Sequence, residues 1–203
     1  MRDDGRTDSP TTGGDRNDTP RLVHLDDMDE LQVADGDPDV RGWDVRLADG
    51  EKIGKVKDLI IDTGLMKVRY IEAEIDKETL NASDDRAVLI PIGSARLDDE
   101  EDNVFLSASI VDPRTLPPYD RNALSREYEL TLRERFTRDP HPSETERIIP
   151  LTADKRGATD GDFYGEELYD DSRFFGERRR GRESSSYISP LSDDAMRRRN
   201  ESL

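Results

Sequence analysis

The side chains with the widest chemical range are scarce in this chain. Among 203 residues there are two histidines, His24 and His141, and no cysteine. A nucleophile–histidine–acid arrangement, or a metal centre built on imidazole or thiolate, would have to draw on these two imidazoles. His24 sits in an Asp-rich stretch ahead of the first strand-like pattern, and His141 stands between Pro140 and Pro142. Both read as solvated side chains outside any folded core. Carboxylates have the opposite problem: with 48 Asp and Glu, no pair is singled out as a general acid and base. The run Asp98–Asp102, DDEED, could attract calcium only weakly, since it lacks the alternating ligands and central glycine of an EF-hand loop. A solvated hairpin tip is expected there. Gly13 and Gly14 form no phosphate-binding loop. No catalytic residue, no directly bound cofactor and no metal ligand is therefore expected.

What remains is the chemistry of association. Leu22, Leu25, Met28 and Leu31 recur every three residues, near enough to helical spacing for a short amphipathic turn. Such a turn packs on the neighbouring domain or docks on another protein. Phe163, Tyr164, Tyr169, Phe174 and Phe175 alternate with acids, and Arg178, Arg179 and Arg180 follow. Aromatic clusters inside an otherwise polar stretch are a frequent partner-binding signal. The arginines, with Arg182 and a second run at Arg197–Arg199, suit an acidic partner or an anionic lipid surface, at about 1 kcal/mol per residue close to a membrane. The competing reading is a solvated tail of mixed charge.

Composition limits how much of the chain can fold. Hydrophobic residues make up 32%, charged residues 39%, and the net charge is −17. Mean hydropathy is −0.91 and the pI about 4.5. Such a chain cannot bury apolar surface along its whole length, so the core must be small and local. The acidity disfavours nucleic acid, because phosphate binding needs a cationic footprint. No apolar run approaches the roughly 18 residues of a membrane span. The Asp-rich N-terminus also lacks the apolar stretch of a signal peptide. A cytoplasmic protein is expected.

Elements capable of positioning side chains are concentrated in the middle. Trp43–Leu47 and Lys52–Asp62 read as strands joined by an Asp-Gly turn. Gly54 within the second strand predicts a bulge or a close backbone approach. Lys67–Asp76 alternates as a third strand, "AVLIPIGSARL" supplies two more around Pro91 and Gly93, and Asn103–Ser109 closes the set. Short strands with both faces partly apolar suit a small antiparallel barrel, closed or nearly so, which removes exposed edges. Trp43, the only tryptophan, is expected to anchor its core. In "RNALSREYELTLRERF", Leu124, Tyr128, Leu132 and Phe136 share a helical face. Ser125 or Asp120 is the candidate cap, and Glu129–Arg133 and Glu134–Arg138 are expected as outward-facing pairs.

These motifs carry a family likeness. The pieces G-x-x-I-G-K-V (Gly50–Val56), D-L-I-I-D (Asp58–Asp62), V-R-Y-I-E-A-E (Val68–Glu74) and V-L-I-P-I-G (Val88–Gly93) together resemble the PRC-barrel family. That family is named for the cytoplasmic domain of the H polypeptide of purple-bacterial photosynthetic reaction centres. "LPPYDRNALSREYELTLRERF" is similar to the helix that follows the barrel in the reaction-centre branch of the family. The fold expected is mainly β: a small PRC-type antiparallel barrel over residues 38–112 and a linker with packing helix over 113–138. It is flanked by an extended arm at 1–37 and a low-complexity, disordered tail at 139–203. The resemblance implies a non-catalytic scaffold that caps the cytoplasmic face of a membrane reaction centre and influences proton access to the secondary quinone. Its partner would be that core or a separate transmembrane chain. A soluble stand-alone adaptor, in stress response or in ribosome or RNA processing, is the alternative. One departure is plain: the reaction-centre H polypeptide begins with a transmembrane helix, and this sequence has none.

Overall fold

The computed structural model describes residues 21–98, 100–106, 112–122, 124–137, 163–176 and 186–192. Its spine is a hairpin of two long strands, β4 (Lys52–Asp62) and β5 (Lys67–Ile75). Asp62 sets the turn between them, because its Oδ1 accepts the N–H groups of Gly64 and Leu65 at 3.1 and 3.2 Å. Gly54 is needed for close approach: a Cβ there would stand 2.1 Å from the carbonyl oxygen of Glu74. The preceding turn places Gly50 at φ +92°, a conformation glycine adopts without strain.

Around this hairpin the sheet runs β6 (Arg86–Pro91), β5, β4, β3 (Asp44–Arg46), β8 (Asn103–Leu106), β7 (Ala95–Asp98). β4 is long enough to carry two partners on one edge: β3 along Lys52–Lys55, and β1 (Leu22–His24) along Ile60–Asp62. The sheet is mainly β and curled, as expected. Two details differ from the expected barrel. β3 and β8 are parallel, and β6 and β7 do not pair among the described residues, being joined instead by a 3-10 turn at Ile92–Ser94.

Branched aliphatics fill the interior. Val45, Ile53, Leu59, Ile71, Val88, Ile90 and Val104 are fully buried. From Asp58 to Asp62 in β4, and from Val68 to Ala73 in β5, every residue is buried, so both sheet faces are covered there. The expected tryptophan anchor is corrected. Trp43 is only partly buried, at a turn where its backbone N–H reaches the carbonyl of Val40. The largest fully buried side chains are Tyr70, Tyr169, Tyr187, Phe163 and Phe174.

A short helix, α1 (Lys77–Leu80), occupies a stretch expected to be loop, and α2 (Arg126–Thr137) is the expected packing helix. Leu132 and Phe136 of α2 are buried, and Ser125 Oγ accepts the N–H of Tyr128 at 3.3 Å, as a cap should. Glu129 and Arg133, expected to face outward, are buried. None of the described helices is long and apolar enough to cross a membrane.

The flanking segments are where expectation and structure part most. The leucine repeat makes no helical turn of the amphipathic kind. Leu22–His24 is strand β1, Leu25–Asp27 a 3-10 turn, and Leu31–Val33 strand β2. Within the expected tail, α3 (Asp171–Phe175) and β9 (Ile188–Pro190) are folded, and β9 pairs antiparallel with β2. The segment before α3 lies over the Ile92–Ser94 turn so closely that a Cβ on Gly93 would be 2.1 Å from the carbonyl oxygen of Glu167. The chain's own C-terminal region thus covers the turn between β6 and β7, the two ends of the strand order.

Candidate functional site

On the β4–β5 hairpin, Asp58 and Glu72 are direct cross-strand partners. Two carboxylates facing each other destabilise a sheet unless something cationic lies between them. That group is His24, delivered by β1. Its Nδ1 is 2.9 Å from Asp58 Oδ2 and 3.2 Å from Glu72 Oε2, and its Nε2 is 2.9 Å from the hydroxyl of Tyr119. The His24 and Tyr119 rings stack at 5.8 Å between centroids. Asp58 is held from the other side, as Oδ1 accepts the N–H of Leu59 at 2.8 Å and of Asp26 at 3.3 Å. Arg121 donates to Asp58 Oδ2 at 2.8 Å and lies 3.9 Å from Glu72. His24, Asp58 and Glu72 are all buried, whereas the Arg121 side chain is 45% exposed.

The electrostatics follow from this geometry. Burial pushes the His24 imidazolium toward deprotonation, but Asp58 and Glu72 outweigh burial and raise its pKa to about 9. His24 therefore carries a proton at neutral pH, with both ring nitrogens donating. The expectation of a solvated imidazole is overturned: His24 is 6% exposed. A signal for this exists in the sequence, since L-V-H-L also reads as a strand, but the leucine spacing favours a helix.

A second cluster fixes the end of the hairpin. Asp62 Oδ2 accepts from Arg21 at 2.8 Å and from Arg69 at 3.2 Å. Burial alone would raise the carboxyl pKa; the two guanidinium groups win and hold it below the usual value. Both arginines lie over the ring of Tyr164, at 5.3 and 4.7 Å from its centroid. A third cluster gathers phenols on Glu129 of α2. Its Oε1 accepts from Tyr70 at 2.8 Å and from Tyr164, and Tyr70 meets Tyr169 hydroxyl to hydroxyl at 3.2 Å. Burial raises the pKa of all three phenols, keeping them neutral donors.

These contacts account for most of the residues that the sequence singles out for partner binding. Leu25, Phe163, Tyr164, Tyr169, Phe174 and Phe175 are buried within the chain, and Leu22 and Met28 pack against the same core. The aromatics that read as a grip on another protein grip this chain's own barrel. Arg178, Arg179, Arg180 and His141 lie outside the described residues. Asp58, Glu72 and Tyr119 are not singled out by the sequence, and Glu129 is read there only as an outward partner of Arg133. Each is one acid or phenol among many: cross-strand pairing distinguishes Asp58 and Glu72, and tertiary packing distinguishes Tyr119 and Glu129.

The ionic and phenolic groups gathered here join one segment to another, and the barrel interior is filled with aliphatic side chains. Residues 33–110 match the family model described as PRC-barrel domain, a span that takes in β3 to β8 and leaves out β1 and the C-terminal segments. A domain of this kind suggests a non-catalytic role in protein interaction. The curled sheet built on the β4–β5 hairpin is a PRC-barrel domain.

Proposed function

We propose that the protein is a non-catalytic adaptor, whose barrel presents its outer surface to a protein partner at the cytoplasmic face of a membrane complex. In the finer form of this reading the complex is a photosynthetic reaction-centre core, which the barrel caps and stabilises and whose proton access to the secondary quinone it influences. The observation that carries the adaptor reading is the match of residues 33–110 to the PRC-barrel domain, whose interior is packed with aliphatic side chains such as Ile53, Leu59, Ile71 and Val88. What supports the reaction-centre form is the likeness to the reaction-centre H polypeptide in the order of barrel and helix. Arg178–Arg180 are the remaining candidates for contact with an acidic partner or anionic lipid. No enzyme activity, cofactor or nucleic-acid partner is part of the reading.

The test is affinity capture from native membranes by the full chain. A membrane complex recovered stoichiometrically is the expected result. A chain that leaves solubilised membranes without a partner overturns the membrane reading. The second reading, a stand-alone soluble adaptor, is favoured by one observation: the aromatics available for gripping a complex are buried on the chain's own core. A partner captured from the soluble fraction alone would establish it.

A further inference from the structure

Three donor atoms of the buried cluster converge on one point. His24 Nδ1, Asp58 Oδ2 and Glu72 Oε2 lie within 4.8 Å of one another, and all three residues are buried. They come from three separate strands, β1, β4 and β5. The separations from Nδ1 to the two oxygens are 2.9 and 3.2 Å. Ligands on a tetrahedral ion with bonds near 2.0 Å stand about 3.3 Å apart, so small side-chain shifts suffice. A second observation points the same way: buried Glu72 Oε2 accepts no well-aligned hydrogen bond, its contacts being the ion pairs with His24 at 3.2 Å and Arg121 at 3.9 Å. Buried carboxylate oxygens are almost always satisfied, and an unsatisfied one calls for an explanation.

We propose that His24, Asp58 and Glu72 form a site for a divalent transition-metal cation, Zn²⁺ fitting best, that fastens the N-terminal strand to the barrel. One imidazole nitrogen and two carboxylate oxygens are the donor types zinc takes, and a fourth position remains for water. On metal entry the Nδ1–H bond breaks, its proton leaves to solvent, and the freed lone pair forms the Nδ1–metal bond. The remaining proton stays on Nε2 and is donated to Tyr119, which fixes the tautomer that Nδ1 ligation requires. Asp58 Oδ1 keeps its two backbone donors. Arg121 is the competitor. It holds Asp58 Oδ2 from the exposed side, next to Asp27 at 4.0 Å, and gives up that contact when the ion enters. Because the three ligands join β1 to the central hairpin, bound metal adds its affinity to the stability of that junction. The inference is independent of which partner the adaptor takes.

The full chain, stripped with chelator, is titrated with Zn²⁺ by calorimetry and followed by thermal unfolding. One equivalent should bind and raise Tm. The acidic surface is controlled by Glu100→Gln/Glu101→Gln, which should bind as the unaltered chain does. Glu72→Gln keeps the shape and removes a ligand, so affinity should fall at least about tenfold. Arg121→Ala removes the competing cation and should tighten binding by about the same factor. It also decides the matter if Glu72→Gln does not fold. A Zn²⁺-insensitive Tm overturns the site. So does equal binding by Glu72→Gln, or weaker or unchanged binding by Arg121→Ala.

Discussion

The β4–β5 hairpin and the straps that flank it are stabilised by different physics. In the hairpin most of the buried side chains are aliphatic, and their contribution to stability grows with apolar area removed from water. The straps, residues 21–33, 163–176 and 186–192, add buried aromatics but are located by pairwise polar contacts: His24 on Asp58, Arg21 on Asp62, Tyr164 on Glu129. Area burial is non-directional, so it sets how firmly a segment is held; charge-assisted hydrogen bonds are directional and set where it is held. The barrel should therefore tolerate loss of the straps better than the straps tolerate loss of a single polar partner.

The largest effect expected is on the hairpin. Gly54→Ala places a methyl 2.1 Å from a carbonyl of the partner strand and should abolish cooperative folding in urea. Leu59→Ala removes a fully buried side chain and should cost about 3 kcal/mol in the same measurement. A loss near zero would mean the barrel is not the main cooperative unit. Gly93→Ala sharpens the contrast, because its methyl meets a strap carbonyl at the same 2.1 Å. It should cost about 1–3 kcal/mol, expose residues 163–176 to limited protease and leave the barrel resistant. If strap and barrel are digested alike, they are one unit.

Smaller effects test the polar pins. Tyr164→Phe leaves the ring but removes the hydrogen bond to Glu129; it should cost about 1–2 kcal/mol and speed proteolysis of the strap specifically. The acid limb of stability tests Asp62. Its pKa lies below the usual 3.8 in the fold, because Arg21 and Arg69 favour the ionised form against burial. That contribution is complete above the unfolded value and is lost as pH falls through the folded one. Stability measured from pH 6 downward should fall less steeply in Asp62→Asn than in the unaltered chain. Equal slopes would remove Asp62 as a pin. At the bottom of the scale, Lys57→Ala breaks an exposed pair with Glu74 at 3.4 Å and should change stability by less than about 0.5 kcal/mol.

Legibility in the sequence follows the same division. Lys52–Asp62 and Lys67–Ile75 are readable as strands because period-two patterning and turn residues are local signals. The backbone approach at Gly54 is readable too, since a glycine inside a strand has few other uses. β1 is not, because leucines at threefold spacing resemble a helix, whereas pairing with Ile60–Asp62 decides the matter. Glu129 and Arg133 fit an exposed helical pair by spacing, yet Tyr70, Tyr164 and Glu166 draw them inward. Trp43 looks like the core by composition, but its place at a bend leaves one side uncovered.

By itself the sequence determined the hairpin, the family-bearing strands, the helix α2 and the small size of the core, because apolar periodicity and turn chemistry act over a few residues. Only the tertiary structure decided the roles of His24 and of the C-terminal aromatics. Their partners lie 34 to 95 residues away for His24 and 99 residues away for the Tyr70–Tyr169 contact. In a chain with 48 acidic residues, charge alone does not say which acid a histidine will find. Cross-strand register places Asp58 opposite Glu72, and the like-charge pair then selects the cation that must stand between them.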